Sequence, residues 1–308
     1  MNISIITPSF NQGKFIERTL QSVLNQTDNK TYTIEYVVMD GGSSDETIAI
    51  LKRYEDKIKW VSECDKGQTH AVNKGLNATS GDIIGWLNSD DIYYPNTIKK
   101  ISEFFTTHPD IDVAYGEAYF IDKEDNILNY YPTEKWNLEK FKSRCFISQP
   151  ATFFRRRVVI QYGLLDENLH FCMDYEYWLR LGLRGVKFAY IPCVLAATRI
   201  YPETKTASGY LRANQEVIAM LKKHIQIIPP EWIVSQCGTN VRSQYGYHFP
   251  HPYFAIAVWL NLWKATGEFQ TGIKRIGLWI VVQGAMISKL SRRIALNVCK
   301  RITQNKKT

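Results

Sequence analysis

Over the first 105 residues, short apolar runs alternate with apolar stripes at helical spacing. Ile3 to Thr7 is a run stopped by Pro8 and the polar stretch from Ser9 to Gly13; Phe15, Ile16, Leu20, Val23 and Leu24 then mark one helix face. Tyr36 to Met39 is a second run, ending at Asp40-Gly41-Gly42. Ile48, Leu51 and Tyr54 stripe the helix that follows, with Ser43 and Glu46 spaced as a capping box at its start. Ile58 to Val61 and a helix from Gln68 to Ala78 repeat the unit. So do Asp82 to Leu87 and, after Asn88-Ser89-Asp90-Asp91, a helix opened by Pro95 and carrying Ile98, Ile101 and Phe105. Four such units predict an α/β fold with a mainly parallel central sheet flanked by helices. Ligands of such sheets bind beyond the C-terminal strand ends, so Asp40 and Asp90-Asp91 are expected on one rim.

Further on, Val113 to Gly116, Ala118 to Ile121, Gln149 to Phe154 and Val186 to Tyr190 read as strands. Asp174 to Leu181 reads as a short aromatic-rich helix, and Ser208 to His224 as a longer one ended by Pro229-Pro230.

Charge changes the picture at one end only. The 308 residues carry a formal +8, but ten Lys or Arg against the single acid Glu268 lie from Tyr253 onward, so the rest is nearly neutral. A neutral body argues against a nucleic-acid partner. Tyr253 to Trp263 and Ile276 to Ile287 are densely apolar, each shorter than the roughly 20 residues of a membrane span. With the basic residues that follow, they predict a helical extension on an anionic membrane surface. Packing on protein, including a second copy of the chain, is the alternative. The six cysteines form no CxxC pair and are read as free thiols, and the N-terminus enters a strand without the pattern of a signal peptide.

Candidate chemistry centres on carboxylates. Asp90 and Asp91 repel each other unless hydrated, paired or holding a cation, and carboxylate oxygen suits Mg²⁺ or Mn²⁺. The alternative for a DD pair after a strand is helix capping. Asp65-Lys66-Gly67-Gln68-Thr69-His70 precedes a helix N-terminus, which is either a phosphate site or a plain cap. Within Met173 to Leu181, Glu176 and Arg180 share a helix face and suit an ion pair, whereas Asp174 at the helix start is placed to project into a cleft or to cap the helix.

In order, these segments resemble the inverting glycosyltransferases of family 2, which have a GT-A fold. The matching pieces are Ser4 to Asn11, Ser22 to Thr27, Val38 to Asp45, Asp65 to Gln68, Ala71 to Gly75, Gly81 to Asp91 and Met173 to Leu181. The resemblance implies a catalytic domain over 1–225, with a donor half to about 115 and an acceptor half beyond it, then the 226–308 extension. It implies that Thr7, Pro8 and Asp40 line the nucleotide-base pocket, with Lys66 and Gly67 beside the donor phosphates. It further implies that Asp90 lies toward the ribose and that Asp91 is the direct ligand of Mn²⁺ or Mg²⁺. Gln149 and Pro150 match the acceptor side, and Asp174 matches the catalytic base, with Glu176 as its rival.

The implied reaction moves a sugar from a nucleotide-diphosphate donor, UDP-linked by preference, to a hydroxyl of a glycan or lipid-linked acceptor at the cytoplasmic membrane face. The chain departs from the pattern at Cys64, His70, Asn88 and Met173; Asn88 stands where an aspartate is frequent. Two other classes are weighed against this. A sugar-phosphate nucleotidyltransferase needs a Gly-rich, basic phosphate loop where Pro8 to Gly13 stand, and a non-catalytic nucleotide-sugar-binding scaffold would not need Asp174.

Overall fold

The computed structural model describes residues 1–26, 31–205, 209–245 and 258. They fall into two compact units, one of residues 1–141 and 145–208, the other of 142–144 and 209 onward. The apolar, basic segments predicted beyond Tyr253 lie outside the described residues apart from Val258. Among the described residues, no helix is long and apolar enough to cross a membrane.

The first unit is built on one sheet. Strands β1 (Asn2–Ser9), β2 (Thr33–Asp40), β3 (Lys59–Ser62) and β4 (Ile83–Trp86) lie in the order β3-β2-β1-β4, every neighbouring pair parallel. Seven of the eight β1 residues are buried, as befits a central strand covered on both faces. Helices α1 (Ile16–Leu24), α2 (Thr47–Arg53) and α3 (Gln68–Ala78) make the crossovers. Ile16, Leu20 and Val23 of α1 pack with Ile3, Ile5, Val38, Leu51 and Ile83 in one apolar core. Gly75 of α3 is required by closeness: a Cβ there would stand 2.3 Å from Ile6 Cγ2.

Past β4 the sheet becomes mixed. After β5 (Ile92–Tyr93) and α4 (Thr97–Thr107) comes β6 (Val113–Ile121), one continuous strand where the sequence suggested two. Then follow β7 (Ile127–Tyr130), α5 (Leu138–Ser143), the 3₁₀ turn Gln149–Ala151, β8 (Thr152–Arg155), α6 (Arg156–Tyr162), α7 (Met173–Leu183) and β9 (Phe188–Arg199). Strand β8 runs antiparallel between β4 and β6, β9 runs parallel to β6, and β5 closes the edge. Strand β9 spans twelve residues, far beyond the Val186 to Tyr190 run, because its second half pairs with both β6 and β5.

The capping box expected at Ser43 and Glu46 does not form. Ser43 turns back to Asp40, and the Thr47 N–H at the start of α2 is met by Asp45 Oδ1 at 3.0 Å. In the second unit, α8 (Tyr210–Ile225) and α9 (Pro230–Tyr245) bury Val217, Leu221, Ile233 and Val234, and buried Asn214 donates to Thr239 at 3.1 Å.

Candidate active site

The parallel order brings the C-terminal ends of β1 to β4 to one edge. Ser9, Asp40 and Ser62 stand in register across three strands there. Asp40, fully buried, accepts from the N–H groups of Gly42 (3.0 Å) and Ser43 (2.8 Å), from Ser62 Oγ (2.7 Å) and, on its other oxygen, from Ser43 Oγ. The carboxylate is thus held by donors of its own loop and of β3, which fixes the Gly41-Gly42 backbone in place. Thr7, buried like Pro8, shares a hydrogen bond of 3.1 Å with Tyr36 Oη.

On the other side of β1, the chain leaves β4 at Trp86 and turns through Asn88 to Asp91. Asp91 is 2% exposed; its carboxylate accepts from the Arg199 N–H (3.0 Å) and from Asn88 Nδ2 (3.0 Å). Asp90 is half-buried and accepts from Tyr201 Oη at 3.0 Å. Thr19 of α1 anchors the same turn by donating to the carbonyls of Ser89 and Asp91. Burial pushes the Asp90 carboxyl up; burial and then the Asp90 charge push that of Asp91 well up. The two carboxylates thus stand close together, only partly offset by their donors.

Arg199 supplies part of the offset. Its side chain is buried, donating from Nε to the Asp90 carbonyl (2.9 Å) and from Nη1 to the Asp122 carbonyl, while lying over the Phe15 ring and beside Asp125. Neither Arg199 nor Tyr201 was singled out in the sequence, since each ends a run more than 100 residues from the acids it meets. The one local signal is an arginine closing the apolar run Val194 to Thr198.

The segment from Asp65 to His70 has Gly67 at φ 108°, a positive value that suits glycine, with its N–H on Asp65 Oδ1 at 2.7 Å. The Lys66 side chain is exposed, and its N–H meets His70 Nδ1 at 3.3 Å. Helix α3 also ties down the loop that leads to α7. Thr69 donates to the Leu169 carbonyl, and Asn73 to the Leu165 carbonyl and Glu167.

Asp174 and Glu176 have different surroundings. Glu176 is 2% exposed and bound in a fork by Arg180 at 2.8 and 3.2 Å, and Arg180 also donates to the Tyr162 and Leu164 carbonyls. Asp174, in the first turn of α7, is half-buried beside Tyr131 and Cys145, and its charge helps burial to push both of those groups up. Tyr131 and Cys145 both point at the Ile147 carbonyl, two residues before Gln149. Gln149 accepts from Asn88 Nδ2 at 3.0 Å and is next to the buried Pro150, so the segment 145–150 joins the surroundings of Asp174 to those of Asp91.

A cation fits the Asp90–Asp91 pocket chemically: two adjacent acids, one almost inaccessible, are driven toward protonation unless a positive charge joins them. Among the described residues, no cluster of three or more His, Cys, Asp or Glu is placed to ligate an ion. Any ion held here takes its other ligands from water or a bound substrate.

Residues 4–163, more than half of the chain, match Glycosyl transferase family 2, and the chain belongs to that family. It is a glycosyltransferase. Its relatives include an uncharacterized glycosyltransferase of Methanocaldococcus jannaschii, 27% identical over 206 residues, which cover 64% of this chain and 70% of the relative. They also include chondroitin synthase of Escherichia coli, 28% identical over 187 residues, 59% of this chain but 27% of that enzyme. Among solved structures, S. aureus TarS in complex with UDP-GlcNAc superposes with a TM-score of 0.61 at 15% identity, covering 94% of this chain and 89% of that one. The mannosyltransferase PcManGT from Pyrobaculum calidifontis, in complex with GDP-Man and Mn2+, gives 0.58 at 16%, covering 95% and 86%. At such identities the likeness is one of fold, and the fold is GT-A.

Proposed function

We propose that the chain transfers a sugar from a nucleotide-diphosphate donor to a hydroxyl of a glycan or lipid-linked acceptor, by a single inverting displacement assisted by a divalent cation. The observation that carries this reading is the close Asp90–Asp91 pair on the strand-end rim that also carries Asp40, in a family 2 glycosyltransferase. TarS and PcManGT, of the same fold, are complexed with nucleotide sugars, the latter also with Mn2+.

In this reading Thr7, Pro8 and Asp40 form the base pocket, Lys66 and Gly67 face the diphosphate, and Asp90 lies toward the ribose. Asp91 would hold Mn²⁺ or Mg²⁺, with half-buried Asp90 next to it. The ion supplies positive charge to the departing diphosphate. Asp174 accepts the acceptor's proton as that oxygen bonds to the anomeric carbon and the bond from this carbon to the diphosphate oxygen breaks. Glu176, neutralised by Arg180, is a structural residue, which leaves Asp174 as the base. Gln149 and Pro150 border the acceptor. A uridine donor is the first to try, and the basic, apolar extension would hold the enzyme at the cytoplasmic membrane face near a lipid-linked acceptor.

Calorimetric titration with UDP- and GDP-sugars, with and without Mn²⁺, tests this. Binding of one donor, strengthened by Mn²⁺ and lost in Asp91→Ala, is the expected outcome. Donor binding indifferent to both the metal and Asp91 would sink the assignment.

A further inference from the structure

Asn88 makes four side-chain hydrogen bonds, two within its own turn and one each to α3 and to the 3₁₀ turn at Gln149. Its Oδ1 accepts from Trp86 Nε1 at 2.9 Å and from Gln68 Nε2 at 2.8 Å. Its Nδ2 donates to Asp91 Oδ2 and to Gln149 Oε1, both at 3.0 Å. The cluster continues outward on both sides. Lys205 Nζ donates to Gln68 Oε1 at 3.1 Å while lying over the Phe171 ring, and Gln149 Nε2 donates to the Trp86 carbonyl.

The direction of every bond is decided by groups that cannot reverse. An amide side chain can be turned end for end, and only its partners determine which way it points. An indole N–H only donates, so Asn88 must offer Trp86 its oxygen. Its NH₂ then faces Asp91 and Gln149. Gln68 must in turn offer Asn88 its NH₂, which directs the Gln68 oxygen to Lys205, another obligate donor. The line therefore runs from ammonium through two aligned amides to carboxylate: Lys205, Gln68, Asn88, Asp91. Both donors and both acceptor lone pairs of Asn88 are used, leaving it no capacity to bind an ion itself. An aspartate at this position would keep the bonds from Trp86 and Gln68. It would lose both donors and add a third negative charge next to Asp91.

We infer that Asn88 is a positioning residue, which orients the Asp91 carboxylate and couples it, through a one-way amide relay, to Gln68 and Lys205 on one side and Gln149 on the other. Its effect on metal rests on the donor-site reading above. The relay itself rests only on the bonds described. The side-chain hydrogen bonds of Gln68 go to Asn88 and Lys205, so its bonded path to Asp91 runs through Asn88.

Full-length protein titrated with Mn²⁺ alone, without donor, measures the metal effect. Asn88→Ala should weaken Mn²⁺ about tenfold or more, as loss of a group that orients a ligand does. Gln68→Ala should weaken it less but measurably, and the double variant should match Asn88→Ala alone. Unchanged Mn²⁺ affinity in Gln68→Ala, or a double variant whose loss is the product of the two single losses, overturns the relay. Gln68 is half-buried in the first turn of α3, so its variant decides the matter even if Asn88→Ala does not fold. If the wild type takes up no Mn²⁺, the metal site has failed instead. The metal-free melting temperatures of the same set then judge the relay: a double variant melting no lower than Asn88→Ala upholds it, and additive losses overturn it.

Discussion

Two acids two residues apart on α7 illustrate how surroundings separate residues of similar type. Glu176 is closed in with Arg180, so Glu176→Gln strands a guanidinium that is four-fifths buried. That change should cost about 3 kcal/mol in urea unfolding, with turnover per folded molecule largely kept. Asp174 is half-buried in the first turn of the same helix, and Asp174→Asn should leave donor binding near wild type while turnover falls about 10²–10⁴-fold. A D174N protein that turns over normally would remove the base assignment.

The carboxylate pair makes a second prediction at this scale. Both Asp90 and Asp91 are raised in the folded protein, chiefly by burial. Between the ordinary aspartate value and the raised ones, the folded state holds protons that the unfolded chain has released. Metal-free stability should therefore fall as pH rises through that interval. A divalent ion replaces those protons, so Mn²⁺ should raise the melting temperature more at about pH 7.5 than at about pH 5.5. An equal rise at both would argue against binding to this pair.

Among the elements, α3 has most to do. Its N-terminus carries the Lys66-Gly67 turn, Thr69 and Asn73 fasten the loop before α7, and Gly75 lets it lie against β1. A methyl at position 75 would have to displace buried Ile6. Gly75→Ala should destabilise the protein by about 1–3 kcal/mol from overpacking, despite alanine's better helix propensity. A shifted urea midpoint with unchanged slope is the expected reading, and a neutral result would mean that α3 can slide on the sheet. The elements also show which local signals were sufficient. Strands β1 to β4 and their helices were legible because each is a short, self-contained period. The Ser43 cap does not form because Asp40, more deeply buried, takes the same hydroxyl.

For the whole molecule, the extension beyond Tyr253 remains the sequence's proposal. Full-length protein should co-sediment with anionic vesicles, much less with zwitterionic ones, and be released as salt rises, since about 8 Å of screening at physiological ionic strength already weakens such contacts. Equal behaviour on both vesicle types would assign the apolar segments to protein packing.

From sequence alone came the fold class, the rim shared by Asp40 and Asp90-Asp91, and the order of segments that marks the family. The first two are properties of local periodicity and of the parallel sheet it implies, which sends all C-terminal strand ends to one edge, and the third is a resemblance of motifs. Only the tertiary structure decided what surrounds those acids. Arg199 and Tyr201 reach them because β9 extends through β6 and β5, and Gln149 reaches Asn88 because β8 enters antiparallel beside β4. Such pairings join residues 61 to 111 positions apart, and no period in the chain encodes them. The different surroundings of Asp174 and Glu176 were likewise decided by what packs against α7, Arg180 meeting Glu176 while Tyr131 and Cys145 lie near Asp174.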